Sequence, residues 1–244
     1  MCLCYLVAMK FLILFALTFF LLNFAEANVS KKALIYNGPG ACPVCPGAVG
    51  SVLQKMGFLI EYVKPGQLTK LKFSEAVLYV QPGGTDRPND ILEALKPGEK
   101  LNLKNFVRGG GRYLGICSGG YLAGDYVVDD KKAKAFGLIP ITVDEESEDA
   151  SPKLETIIWN NSVQQVYFQD APSFNIKSVP SAVIWATYRD SGHGAALIYD
   201  FGKGRVGVVG PHLEADETWF AGDNLTFPGL KTKLLIDFIN ALLN

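Results

Sequence analysis

Short apolar segments alternate with glycine- and proline-rich turns over the first half of the chain. Four of these segments have the length and composition of buried strands: "KKALIY" (31–36), "FLIEYV" (58–63), "EAVLYVQ" (75–81) and "RYLGIC" (112–117). Helical spacing lies between them, in "AVGSVLQKMG" (48–57), "DILEALK" (90–96) and "LKNFVRGG" (103–110). Strands that alternate with helices predict a parallel sheet covered by helices on both faces.

The pattern changes after Tyr126. Residues 131–174 mix β-branched and aromatic residues with polar turns, which predicts antiparallel strands or an irregular insertion, and the acidic run 144–152 is expected to be a solvated loop. Two strands at 194–202 and 204–212 predict a hairpin, and 230–243 predicts an amphipathic helix. We expect an α/β fold, a three-layer sandwich with a mostly parallel central sheet and an antiparallel β elaboration.

The N-terminus has an apolar stretch from Phe11 to Leu22 directly after Lys10. Ala25-Glu26-Ala27 has the small residues of a cleavage site. We therefore expect residues 1–27 to be a signal peptide that is removed on export, to the periplasm or outside the cell, and residues 28–244 to be a single domain. An uncleaved membrane anchor is the alternative.

The charge and composition of the chain argue against nucleic acid and membranes as partners. The chain has 23 basic and 24 acidic residues, and no basic stripe of the kind that binds nucleic acid. No second apolar run reaches the length of a membrane span, so we expect no membrane partner after cleavage. A small-molecule or peptide-like substrate fits this composition, with no cofactor and no metal. The oligomeric state stays open.

The segment "YLGICSGGYLAG" (113–124) places Cys117 at the end of the fourth strand. Working residues of open α/β sheets lie beyond the carboxyl ends of strands. Gly115, Gly119 and Gly120 surround the cysteine, as a tight and strained turn that presents a nucleophile requires. The alternative is a small core residue in a glycine-rich crossover.

A general base follows another strand. His212 comes directly after the strand "GRVGVVG", and an extended His-x-Glu step places the side chains of His212 and Glu214 on the same side. A thiol, an imidazole and an orienting carboxylate form the general arrangement for nucleophilic catalysis. The alternative is an ordinary loop histidine. His193, the other histidine, lies among turn residues and is expected at a hairpin.

A turn after the third strand, "VQPGGTD" (80–86), completes the candidate site. Its glycine amides lie where they can combine with the Ser118 amide to hold an oxyanion.

Together these motifs resemble the class I glutamine amidotransferase-like superfamily, which has a flavodoxin-like fold. The closest resemblance is to the amidotransferase-like N-terminal domain of long biotin protein ligases, which also occurs as a stand-alone protein. It extends over the whole mature chain and is carried by these segments: "LIYNGPGA", "VQPGGTDRPND", "FVRGGGRYLGICSGGYLAG", "VYFQDAPSF" and "GKGRVGVVGPHLEA".

The resemblance implies roles for five residues: Cys117 as nucleophile, His212 as base, Glu214 as orienter, and Gly84 with Ser118 as oxyanion donors. The binding residues expected beside them are Gly83, Gly119, Gly120 and Tyr121. Glutaminases of this superfamily typically have a Gly-His-Gln segment where this chain has Gly119-Gly120-Tyr121, which argues against glutamine as the substrate.

Cys42 and Cys45 form a Cys-x-x-Cys pair before the first helix. With Cys117 they give the mature chain an odd number of cysteines, so one thiol should be left over. A structural disulfide, local or rearranged, is favoured in an exported protein, while a redox-active pair and a zinc knuckle are alternatives. Either thiol could also bond to Cys117 and mask it.

Three functions follow. The first is an exported thiol hydrolase or amidase with a Cys-His-Glu triad, acting on an unidentified amide or ester. The second is a non-catalytic module that binds a small molecule or a protein in the same pocket. The third is a redox protein that uses its Cys-x-x-Cys pair.

Overall fold

The structure is a computed structural model that describes residues 31–85, 87–127 and 130–244, without the side chains of residues 130–132. The expected signal peptide and its cleavage site lie outside the described residues. Among the described residues, no helix has both the length and the apolar character needed to cross a bilayer.

The strands of the described residues are β1 (Lys32–Tyr36), β2 (Leu59–Val63), β3 (Leu78–Gln81), β4 (Arg112–Ile116), β5 (Tyr126–Val127), β6 (Asp130–Lys134), β7 (Asp144–Glu145), β8 (Lys153–Trp159), β9 (Ser162–Phe168), β10 (Pro172–Ser173), β11 (Val183–Tyr188), β12 (Gly194–Phe201) and β13 (Gly204–Val209). The helices are α1 (Cys45–Lys55), α2 (Lys70–Ser74), α3 (Pro88–Ala94), α4 (Glu99–Arg108), α5 (Ser118–Ala123), α6 (Glu217–Gly222) and α7 (Thr232–Leu243), with a 3₁₀ turn at Ile176–Ser178.

Nine of these strands form one sheet in the order β2-β1-β3-β4-β13-β12-β11-β8-β9. The first five are parallel, and their order is that of a flavodoxin-like sheet. The last four run antiparallel and continue the same sheet beyond β13. The expected fold class is confirmed, and the antiparallel elaboration is an extension of the central sheet.

Side chains on the two faces of the sheet build two separate cores. In β1, Ala33 and Ile35 pack with α1 and α7, whereas Leu34 and Tyr36 pack with α2 and α4 on the opposite face. This alternation follows from the two-residue repeat of a pleated strand. Because both faces are covered, β1 consists almost entirely of buried residues.

The helices α2 and α6 were not expected from the sequence. Each is at most six residues long, too short for a helical repeat to stand out. Thr69 and Asp216 cap them by accepting hydrogen bonds from the backbone N–H groups of Lys72 at 3.2 Å and Thr218 at 3.0 Å. The capping residues were therefore the local signal for both helices.

The second half of the chain corrects one expectation and confirms another. The acidic run begins with β7, whose two exposed residues pair with β10, so the run is a loop only after Glu145. The hairpin of β12 and β13 is present with the expected turn. His193 lies in the turn before β12, exposed and 3.2 Å from Glu146, as expected for a hairpin residue.

Candidate functional site

The carboxyl ends of β1, β3, β4 and β13 open on one edge of the sheet, where the strands are neighbours. The loops that follow them carry the predicted site residues. A cavity of about 700 Å³ at this edge is lined by residues of all four loops, including Cys42, Cys45, Gly84, Cys117 and His212. The order of strands in the sheet therefore brings Cys42 and His212 into one cavity, although they are 170 positions apart in the chain.

Cys117 occupies a strained turn between β4 and α5. Its φ of 49° and ψ of −110° lie where residues other than glycine are rarely found. The turn is held by its backbone N–H, which donates to Val209 O at 2.9 Å. A Cβ on Gly119 would stand 2.0 Å from Gln81 O, and one on Gly115 would stand 2.3 Å from Gly119 O. The predicted tight elbow is confirmed, and these glycines are needed for close backbone packing.

The thiol of Cys117 is free and 7% exposed. Its Sγ lies 3.8 Å from the backbone carbonyl oxygens of Gln169 and Asp170, and Cys117 and His212 line the same cavity. Cys117 also packs against the core on the α1 side of the sheet. It therefore both belongs to the core and lines the cavity.

His212 and Glu214 are in contact, as the His-x-Glu spacing predicts. The His212 Nδ1 atom lies 2.9 Å from Glu214 Oε1, and the two side chains are only 6% and 0% exposed. This contact leaves Nε2 as the ring nitrogen that is available to Cys117. Glu214 Oε2 is buried and has no hydrogen-bond partner among the described residues.

The environment of His212 favours its charged form. Burial lowers the pKa of His212, but the negative charge of Glu214, its hydrogen bond to the ring and the neighbouring Cys117 side chain outweigh burial and raise the pKa to about 10. His212 is then an imidazolium at neutral pH, with the Glu214 carboxylate at its Nδ1 atom.

This raised pKa predicts how stability depends on pH. An ordinary histidine titrates near 6.5, so the stabilisation by protonated His212 is fully present below about pH 6.5 and is lost as the pH rises toward about 10. The stability advantage of the wild type over a His212→Gln variant should therefore be larger at about pH 6 than at about pH 9. Urea unfolding of both proteins at the two pH values measures this. A His193→Gln variant, altered at the exposed histidine, should follow the wild type, and an advantage that does not change with pH contradicts the assignment.

An aromatic and acidic wall encloses His212 and was missed by sequence reasoning. The rings of Tyr167 and Trp219 have centroids 5.9 and 5.1 Å from the His212 ring, and the Tyr167 hydroxyl donates to Asp223 Oδ2 at 2.5 Å. The His212 backbone N–H also donates to Tyr167 O at 2.9 Å. The one available signal was the acidic and aromatic run "EADETWF" (214–220) after His212.

The predicted oxyanion residues lie next to each other. A Cβ on Gly84 would stand 2.6 Å from Ser118 Oγ, so the two residues are in direct contact beside Cys117. Ser118 is the first residue of α5, and the first amides of a helix have no acceptor within it. The Ser118 N–H is therefore available to a bound oxygen.

The predicted binding residues divide into two groups. Tyr121 lines the cavity, and its buried hydroxyl has no partner among the described residues. Burial raises the pKa of Tyr121, which keeps this hydroxyl protonated and able to donate. Among the described residues, the cavity lining does not include Gly83, Gly119 or Gly120. Gly120 instead packs against Pro172 and Phe174.

Cys42 and Cys45 form a disulfide, with their Cα atoms 5.5 Å apart. Cys117 is then the free cysteine of the described residues, in agreement with the expected odd thiol. The described residues contain no group of three or more histidine, cysteine and acidic side chains placed to hold a metal ion. The favoured local disulfide is thus present, on the wall of the cavity that holds Cys117.

Comparison with known proteins begins with a family match. Residues 31–138 match the family described as "Biotin-protein ligase, N terminal". The chain is also 27% identical over 219 residues to a biotin–protein ligase of Schizosaccharomyces pombe. That match covers 75% of this chain and 33% of the ligase, so the chain spans about one third of the length of this relative.

Two of the similar solved structures are matched over nearly their whole length. A crystal structure of a glutamine amidotransferase matches with a TM-score of 0.58 and 16% identity, over 82% of this chain and 96% of that one. A chain of PurLQS from Thermotoga maritima matches with a TM-score of 0.55 and 16% identity, over 87% and 99%. The chain therefore has a fold like that of the glutamine amidotransferases, and its residues 31–138 are similar to the N-terminal region described for biotin-protein ligases.

Proposed function

We propose that this protein is a thiol hydrolase or amidase that acts on an amide or ester of a small molecule or peptide. The observation that carries the proposal is that Cys117 and His212 line one cavity while Glu214 holds the His212 ring through its Nδ1 atom. A thiol beside an imidazole that a buried carboxylate orients is the arrangement that activates a nucleophile.

The reaction would proceed through an acyl-enzyme. The Cys117 sulfur attacks the carbonyl carbon, and the oxygen of the tetrahedral intermediate accepts hydrogen bonds from the backbone N–H groups of Gly84 and Ser118. The His212 imidazolium donates its proton to the leaving amine or alcohol, which forms a thioester on Cys117. Neutral His212 then takes a proton from a water molecule that attacks the thioester, and the acid is released as Cys117 is restored.

Glu214 acts in this scheme through His212. Its Oε1 atom accepts from Nδ1 and directs Nε2 toward the sulfur, while its charge stabilises the imidazolium. The ligation reaction of the Schizosaccharomyces pombe relative is not part of the proposal, because the match spans 33% of that protein.

Alkylation of Cys117 by iodoacetamide tests the activated thiol. At about pH 7 we expect His212→Gln to slow the alkylation of Cys117 by about tenfold or more, since the thiolate loses its charged partner. Mass spectrometry of the peptide that contains Cys117 measures the rate. His193→Gln serves as the matched control and should react like the wild type. Equal rates of Cys117 alkylation in the wild type and in His212→Gln would contradict the proposed pairing of Cys117 with His212.

A non-catalytic binding module is the second candidate. The buried hydroxyls of Ser118 and Tyr121 have no partner among the described residues, and both residues line the cavity, which favours a bound polar ligand. Under this alternative, the wild type hydrolyses no reactive ester faster than a Cys117→Ser variant does. The ester assay described in the Discussion therefore separates the two candidates.

The proposal includes export, with residues 28–244 as the mature protein. The disulfide between Cys42 and Cys45 supports an oxidising compartment, since such bonds are rare in the cytosol. N-terminal sequencing of the protein secreted from its native cells should begin at Asn28, and a start at Met1 would count against cleavage.

A further inference from the structure

The Cys45 sulfur and the His212 ring face each other across one glycine. A Cβ added to Gly83 would stand 2.7 Å from His212 Cε1 and 2.9 Å from Cys45 Sγ. The same imidazole shares the cavity wall with Cys117, which contributes to its raised pKa. The His212 ring is therefore a neighbour of both Cys117 and the Cys45 sulfur.

The two cysteines of the disulfide differ in exposure. Cys45 is 2% exposed, whereas Cys42 is partly exposed and is followed by exposed Pro43 and Val44. The Cys45 backbone N–H donates to Cys42 Sγ at 3.0 Å, at the first residue of the eleven-residue helix α1. An incoming thiol can thus reach Cys42, and the sulfur that leaves is Cys45, beside the imidazolium.

From this arrangement we propose that Cys42–Cys45 is a thiol–disulfide exchange site, and that its reduction gives His212 a second thiol, Cys45, which competes with Cys117. The inference rests on the proposed pairing of Cys117 with His212. In the first step, a small thiol bonds to Cys42 and Cys45 leaves as a thiolate. In the second, another small thiol attacks the mixed disulfide, which releases a small-molecule disulfide and leaves Cys42 reduced. The protein gains two electrons and two protons, both supplied by the two small thiols.

The fold keeps Cys45 beside His212 after the bond opens. Cys42 N–H donates to Gly83 O at 3.1 Å, and Thr85 N–H donates to Gly40 O at 2.9 Å, so the cysteine loop is tied to the glycine turn by its backbone. Cys45 itself belongs to α1, whose Val49 and Leu53 are fully buried. Neither anchor depends on the disulfide.

Two matched variants isolate the competition. Cys42→Ser and Cys45→Ser both lack the disulfide, but only the first leaves a thiol beside His212. We expect iodoacetamide to alkylate Cys117 about twofold or more slowly in Cys42→Ser than in Cys45→Ser, because two thiolates share one imidazolium. Initial rates for the Cys117 peptide, taken without oxygen at about pH 7, measure this. Equal rates overturn the competition.

The wild-type protein provides a second measurement that does not depend on either variant. Reduced glutathione should open the disulfide while the near-ultraviolet circular dichroism spectrum stays native. The alkylation of Cys117 should then slow by about twofold or more, as in Cys42→Ser. The rate should recover after oxidised glutathione is added. A disulfide that is reduced only in unfolding concentrations of urea overturns the exchange site. If His212→Gln leaves Cys117 alkylation unchanged, the proposed function itself fails. If the alkylation of Cys117 depends on His212 but is equally fast in Cys42→Ser and Cys45→Ser, the competition between Cys45 and Cys117 is contradicted while the proposed function stands.

Discussion

Hydrolysis of p-nitrophenyl acetate is expected to fall by about 10³-fold or more when Cys117 is replaced by Ser. This ester needs little recognition, so its turnover reports the activated sulfur rather than the unknown substrate. A serine hydroxyl is a much weaker nucleophile than a cysteine sulfur, and so the variant has the geometry of the elbow without its effective nucleophile. The loss should appear in the burst of p-nitrophenol as well as in the steady rate.

The Cys117→Ser variant should remain folded, which makes the result interpretable. Oxygen replaces sulfur at the same position of a turn that is held by the Cys117 N–H bond to Val209 O. We expect its midpoint of urea unfolding to stay close to that of the wild type. A variant that is folded and retains more than about a tenth of the ester hydrolysis contradicts Cys117 as nucleophile and favours the binding module.

Gly119→Ala should give a large loss of stability, about 3 kcal/mol or more in the free energy of unfolding. The new Cβ would stand 2.0 Å from Gln81 O and 2.9 Å from Gln81 C, which are backbone atoms of the central strand β3. Neither the strand nor the elbow can shift without breaking the sheet beside Cys117. Urea unfolding measures the loss.

Gly47→Ala is the matched control for this substitution. Gly47 also lies in a helix, α1, but apart from its chain neighbours and the adjacent helix backbone, no atom lies within 4 Å of the position that its Cβ would take. Gly47 lies in the first turn of α1, so alanine there should stabilise the protein by less than about 1 kcal/mol, the value for a helix interior. Similar effects of the two substitutions would show that the approach of Gly119 to Gln81 is not what requires glycine.

Much of the fold could be predicted because burial and turns are local properties of the sequence. The apolar segments that become β1 to β4 are short and continuous, and each ends at a glycine or proline turn, so their pattern alone predicted the parallel half of the sheet. The helices α2 and α6 were missed, since five or six residues do not show a helical repeat. The position of the antiparallel strands was also missed, because no local pattern says which edge a strand will join.

The candidate site was predictable only where its residues lie close in sequence or share a strand end. Cys117 follows β4 and His212 with Glu214 follows β13, and each is marked by its own motif. Tyr167 could not be predicted, because it reaches His212 from β9, at the far edge of the sheet in strand order. The contact depends on how the end of β9 and the loop that follows it fold back over the cavity.

From the sequence alone came the alternation of strands and helices, the glycine elbow at Cys117, the His-x-Glu pair and the proximity of Cys42 to Cys45. All of these are encoded within a few neighbouring residues, where backbone geometry limits the possible contacts. Only the tertiary structure placed Cys45 beside His212, Ser118 against Gly84, and the Tyr167 and Trp219 rings around the imidazole. Such contacts join residues that are distant in the chain, and they exist because the order of strands in the sheet and the close approach permitted by glycine bring the loops together.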